Sequence, residues 1–174
     1  EQKQMLVRLF DGNQLQNRLS TTLTSLKKLQ NPDGSFSWWP GMKGSLYMTV
    51  SVIKTLVRLQ TLTDKMETSA IVDAAFRYLD KRVGEEVANM KKYEKKYKTL
   101  LFPMDDLCDY LYSNALAGRK ATPDVNYLLD RLSKKPTDLT IYGKARTAVI
   151  LQQYNKVENA KGIFGMYGCE GLLL

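Results

Sequence analysis

Histidine is absent from this 174-residue chain. That removes Ser-His-Asp and Cys-His catalysis, histidine metal ligation and the usual proton shuttle near neutral pH. Two cysteines remain, Cys108 and Cys169. They cannot build a four-cysteine zinc site, and no CxxC pair occurs. They could form one disulfide, a pairing the sequence leaves open. Cys169 stands in "YGCEG" with no cation beside it to lower its pKa. The only compact acidic group is "PMDDLCDY", with Asp105, Asp106 and Asp109. Asp105 and Asp109 fall four apart on a helix and could share a cation or act as an acid/base pair. Carboxylates in a first helical turn are also favoured by the macrodipole, and that structural reading is sufficient. Cys108 reads as a small core residue on the same helix.

A second chemical candidate is basic. "KKYEKKYK", Lys91 to Lys98, interleaves lysines with Tyr93 and Tyr97. Lysines neutralise phosphates and tyrosines stack on bases, so this could be a nucleic-acid surface. The net charge of +8 agrees with that reading. However, Tyr93 and Tyr97 continue the helical line of Val87 and Met90. The preferred expectation is that the tyrosines face the protein and the lysine pairs face water.

The elements that must position these residues are helical. Leu15, Leu19, Leu23, Leu26 and Leu29 form one stripe of an amphipathic helix. "LQNPDGSFSWWPG" then stops it with Pro32, Gly34, Pro40 and Gly41. The next segment, Leu46 to Leu62, is apolar over a much wider arc, as expected of a helix buried on most sides. Ile71, Ala74, Ala75, Tyr78 and Leu79 return to one-sidedness, and Gly84 suggests a break or kink. A further helix opens at Pro103 with Leu107, Cys108, Leu111, Tyr112, Ala115 and Leu116 on one face, and ends at Gly118. Thr122 and Pro123 start the next, with Val125, Leu128, Leu129 and Leu132 as its stripe. A last wide-faced helix starts after Pro136, capped by Thr137 or Asp138. No useful stretch alternates with period two. The expectation is an all-α chain of about seven or eight helices, alternating outer one-sided and inner all-round members. No apolar run reaches the roughly 20 residues of a membrane span. The lack of an initiator methionine suggests a piece of something longer.

The stretch "LKKLQNPDGSFSWWPG", followed by a tyrosine and a wide apolar helix, resembles the thioester-domain region of α-2-macroglobulins of the bacterial type. Gln30, Pro32, Asp33, Gly34, Phe36, Trp38, Trp39 and Gly41 fit that pattern position by position, and Pro40 belongs to the same loop. "AFRYLDK" fits where the family has a helix ending in Tyr-Leu-Asp. The likeness covers residues 1–82, is one of helix pattern alone over 83–155, and fails after about 160. It implies an α/α-toroid of paired inner and outer helices, here an incomplete ring over residues 1–160, with an irregular tail at 161–174. It also implies a non-enzymatic role without cofactor or metal: a scaffold segment of an endopeptidase inhibitor that traps peptidases. The partners implied are peptidases and the remaining domains of a parent chain, not nucleic acid or membrane. The implied location is extracellular or periplasmic, anchored at the outer membrane through the parent. The family's Cys-x-Glu-Gln thioester motif is not present: Cys169 is followed by Glu170, Gly171 and Leu172, and Glu1-Gln2 lacks its cysteine. Gln30, Asp33, Gly34, Phe36, Trp38, Trp39, Pro40 and Gly41 are therefore expected to form an architectural loop, with the aromatics packed back against helix ends. The runner-up is a toroid enzyme of the terpene cyclase or prenyltransferase kind, with "MDDLCD" as its only acid-rich candidate. A basic nucleic-acid-binding module is third.

Overall fold

The computed structural model describes residues 12–61, 66–134 and 140–156. Cys169, the "YGCEG" stretch, Glu1-Gln2 and the tail at 161–174 lie outside the described residues. The described residues contain helices and connections and no strand, so the chain is all-α. Six helices are described: α1 Gly12–Leu29, α2 Leu46–Gln60, α3 Met66–Tyr97, α4 Asp105–Leu116, α5 Pro123–Lys134 and α6 Ile141–Gln153.

They sort into two layers. α3 touches α1 on one side and α5 on the other, and α4 sits between α2 and α6. The layers meet where α2 packs on α3 and α6 on α5. The even-numbered helices are parallel. Lys54 and Arg58 of α2 meet Asp109 and Tyr112 of α4 in the same order. Asp109 and Asn114 of α4 likewise meet Arg146 and Tyr154 at and beyond α6. Parallel neighbours require long returns, which the odd-numbered helices supply.

The core lies between the layers and follows the sequence stripes. Val125, Leu128, Leu129 and Leu132 are all buried, as are Ile71, Ala75 and Leu79. Each such large side chain contributes about 1.5–3 kcal/mol of hydrophobic stabilisation. α2 buries Thr49, Val50, Ile53, Leu56 and Val57, as its wide apolar arc anticipates. α5 starts where expected: the Thr122 hydroxyl accepts from Val125 N at 3.2 Å, with Pro123 in the first turn. Gly118 closes α4 with φ +66°.

Four expectations need correction. α3 runs unbroken through Gly84 for 32 residues. A single helical glycine costs only about 1 kcal/mol, and here flanking Val83 and Val87 are both buried. α4 is buried nearly all round, not on one face: Tyr110, Ser113 and Asn114 are also inside. Their polar groups find partners, with Tyr110 Oη donating to Asp80 at 2.8 Å and Asn114 Nδ2 to Tyr154 Oη at 2.6 Å. Satisfied polar residues can enter a core without leaving a hydrophobic signature. α6 is capped by Thr140, whose hydroxyl accepts from Gly143 N at 3.1 Å; Thr137 and Asp138 lie outside the described residues. Finally, Tyr93 and Tyr97 do not face the protein. They are 45% and 53% exposed, because Met90 is the last buried residue of α3 and its final two turns project past the core.

Candidate functional site

The connection between α1 and α2 is a clamp built from its own polar side chains. Gly34 N donates to Asn31 O at 2.9 Å, closing a turn with Pro32 and Asp33 at its centre. Gly34 has φ +89°, a conformation L side chains rarely adopt. Asp33 Oδ1 then accepts from Ser35 N at 3.0 Å and Ser35 Oγ at 2.6 Å. Partial burial works against ionisation of Asp33, but these hydrogen bonds outweigh it and hold the carboxyl below its usual pKa. Gln30 reaches out of the loop: its Nε2 donates to Gly34 O and to Ile71 O of α3, both at 2.9 Å. A Cβ on Gly34 would stand 2.1 Å from Ala74 O, so the turn rests directly on the α3 backbone. Buried Phe36 fills the core below, and its N–H donates to Thr49 Oγ1 of α2 at 2.9 Å. One loop thus joins α1, α2 and α3.

Of the aromatics after Phe36, Trp38 lies against the N-terminal end of α2, as expected, but Trp38 and Trp39 both stay largely in solvent, 56% and 65% exposed. Trp38 stacks on Tyr47 of α2, with ring centroids 5.6 Å apart and planes 10° apart. Pro40, Gly41 and Met42 are exposed beside them. Because the even helices are parallel, exposed Tyr47, Met104, Ile141 and Tyr142 lie at their N-terminal ends. The apolar loop tip therefore belongs to the end of the molecule where further apolar side chains face outward.

The acidic candidates lie elsewhere, in a charged row across the even-numbered helices. Lys54 Nζ of α2 is 2.5 Å from Asp109 Oδ2 of α4. Arg146 of α6 donates to Asp109 Oδ1 at 2.8 Å and to Asp105 Oδ1 at 2.7 Å. Asp105 and Asp109 are thus brought together as expected, but by cations from both neighbouring helices. Both oxygens of Asp109 are occupied, whereas a general acid or base needs one within reach of substrate. Asp106 takes no part in these ion pairs; burial first, and the nearby Asp109 and Asp105 second, push its pKa up. Cys108 is buried, and desolvation pushes its thiol up to about 11, far from a reactive thiolate. The row fastens three parallel helices to one another. Among the described residues, no group of three or more Cys, Asp or Glu is placed to hold a metal ion, and no helix is long and apolar enough to cross a membrane.

Sequence reasoning selected Gln30, Asp33, Gly34 and Phe36 and missed their partners Asn31, Ser35 and Thr49. Gly44 reads in the sequence only as a helix stop; in the structure a Cβ there would come 2.1 Å from Ser35 Oγ. Comparison with protein families, with curated proteins and with solved structures finds no match to this chain.

Proposed function

We propose that this chain is a scaffold segment of an α-2-macroglobulin-like endopeptidase inhibitor, a part that holds shape while other parts of a parent protein meet the peptidase. The observation that carries this reading is the clamp from Gln30 to Phe36. Of the residues that bear the family resemblance, Gln30 bonds across to α3, Gly34 rests on the α3 backbone, Phe36 bonds to α2, and Asp33 holds the turn between them. The alternation of odd-numbered and even-numbered layers supports an arc of an α/α-toroid, with α2, α4 and α6 as inner helices and α1, α3 and α5 as outer ones. Trp38, Trp39, Met42 and Tyr47 form the contact surface for the remaining domains of the parent. The pairing of Asp105 and Asp109 with Arg146 and Lys54 weighs against the cyclase-like reading. The same account places the parent outside the cell or in the periplasm. The test is functional: a parent protein bearing this chain should shield a bound peptidase from protein substrates while leaving it active on small peptides. The isolated chain should leave both activities unchanged. Inhibition by the isolated chain would overturn the scaffold reading.

A further inference from the structure

The projecting end of α3 has a composition and a geometry that the scaffold role does not use. Met90 is buried, and from Lys91 to Lys98 every residue except Glu94 is exposed. Glu94 points inward and anchors the projection. Arg131 of α5 donates to its two oxygens from Nε and Nη2, each at 2.7 Å, and Leu101 N donates to Oε1 at 2.9 Å. The helix end is thus a fixed post. The single carboxylate within it is neutralised, and Lys91 is within 3.6 Å of Asp124. Lys92, Lys95, Lys96 and Lys98 make no ion pair among the described residues. Tyr93 and Tyr97 lie against each other with centroids 4.4 Å apart, both remain about half exposed, and Lys96 Nζ sits over the Tyr97 ring at 4.8 Å from its centroid. Lys98 closes the helix at φ +55°, a position at which glycine is preferred.

We infer that this post is a binding surface for single-stranded nucleic acid, with Lys92, Lys95, Lys96 and Lys98 on the phosphates and Tyr93 and Tyr97 as a stacking platform for bases. The main ground for setting nucleic acid aside, that both tyrosines face the protein, does not hold in the structure. Lysines alone at a helix C-terminus are explained by the macrodipole. Two half-exposed aromatic rings between them are not, because exposing such surface is unfavourable unless something covers it. The alternation of cation and ring at helical spacing matches the two requirements of single-strand binding, charge along a backbone and flat faces for its bases. This inference is independent of the scaffold reading.

The test uses the 174-residue chain and a fluorescent oligothymidylate of about 20 nucleotides, with binding followed by anisotropy across a salt series. Binding should weaken steeply with salt. Changing Lys92, Lys95, Lys96 and Lys98 together to Ala should flatten the log–log salt slope by about 3. A control variant with Lys27, Lys28, Lys43 and Lys120 changed to Ala, equal in net charge, should keep the wild-type slope. Tyr93→Ser with Tyr97→Ser should weaken binding roughly tenfold or more at fixed salt, with the slope unchanged. All of these side chains are exposed, so thermal melts should match the wild type. Equal losses in the two lysine variants would mean diffuse charge attraction and would overturn the proposal. So would binding to phosphatidylserine vesicles or to an acidic peptide without binding to the oligonucleotide.

Discussion

Gly34 and Ala74, forty residues apart in sequence, meet backbone to backbone. A Cβ added to Gly34 would lie 2.1 Å from the Ala74 carbonyl oxygen, inside any real contact. The α1–α2 loop can therefore seat on α3 only with glycine at this position. Gly34→Ala should destabilise the chain by about 3 kcal/mol or more, since strain at positive φ adds to a clash with backbone that cannot rotate away. Gly41 supplies the control. It has φ +83° but open space around its Cβ, so Gly41→Ala should cost only about 1–2 kcal/mol. Urea unfolding followed by far-UV circular dichroism compares the two. Equal losses would show that the turn does not rest on α3.

The pair of Glu94 and Arg131 sets an acid limit. Arg131 first, and Leu101 N as well, hold the Glu94 carboxyl down from 4.5 to about 2 against the opposing effect of burial. A depressed carboxyl pKa stabilises the fold above the unfolded value and loses that contribution as pH falls. The contribution, about 3 kcal/mol by linkage, should be complete above about pH 5 and vanish between about 4.5 and 2. Glu94→Gln should lower stability at neutral pH and flatten the profile across that window. A wild-type profile with no steeper acid loss than the variant would remove this role.

Cys108 should be inert. It sits on the buried side of α4 with its thiol pushed up to about 11 by desolvation. In a Cys169→Ser background, an aromatic disulfide reagent at pH 8 should react with the native chain orders of magnitude more slowly than with the urea-unfolded chain. Comparable rates would show that the site around Arg146 opens readily.

Trp38 and Trp39 should contribute to association and not to folding. Trp38→Ser with Trp39→Ser should change stability by no more than about 1 kcal/mol, because both rings are more than half exposed. The wild-type chain should self-associate at high concentration through this surface, and the double variant should do so less. Light scattering that finds the wild type monomeric throughout would contradict the assignment of this tip as a contact surface.

The helices were legible where burial is apolar and one-sided. Val125, Leu128, Leu129 and Leu132 announce α5 by spacing alone, and all four are buried. α4 was not legible as a central helix, because Tyr110 and Asn114 enter it as polar residues whose partners lie on distant segments, and Ser113 as one that bonds the Asp109 carbonyl a turn back in α4 itself. The turn at Asp33 and Gly34 could be read locally, since its chemistry is local. The exposure of Trp38 and Trp39 could not, as nothing in the local pattern separates them from buried Phe36 two residues earlier. Tyr93 and Tyr97 misled for a similar reason: period continues along α3, but the protein it would face ends at Met90.

The scaffold account is tested most directly by pairing a peptidase with a parent protein that carries this chain, and then with the chain alone. The parent should abolish cleavage of casein while leaving hydrolysis of a small chromogenic peptide intact, and the 174-residue chain should change neither rate. A parent that leaves casein cleavage untouched, or a chain that blocks the peptidase by itself, would contradict it.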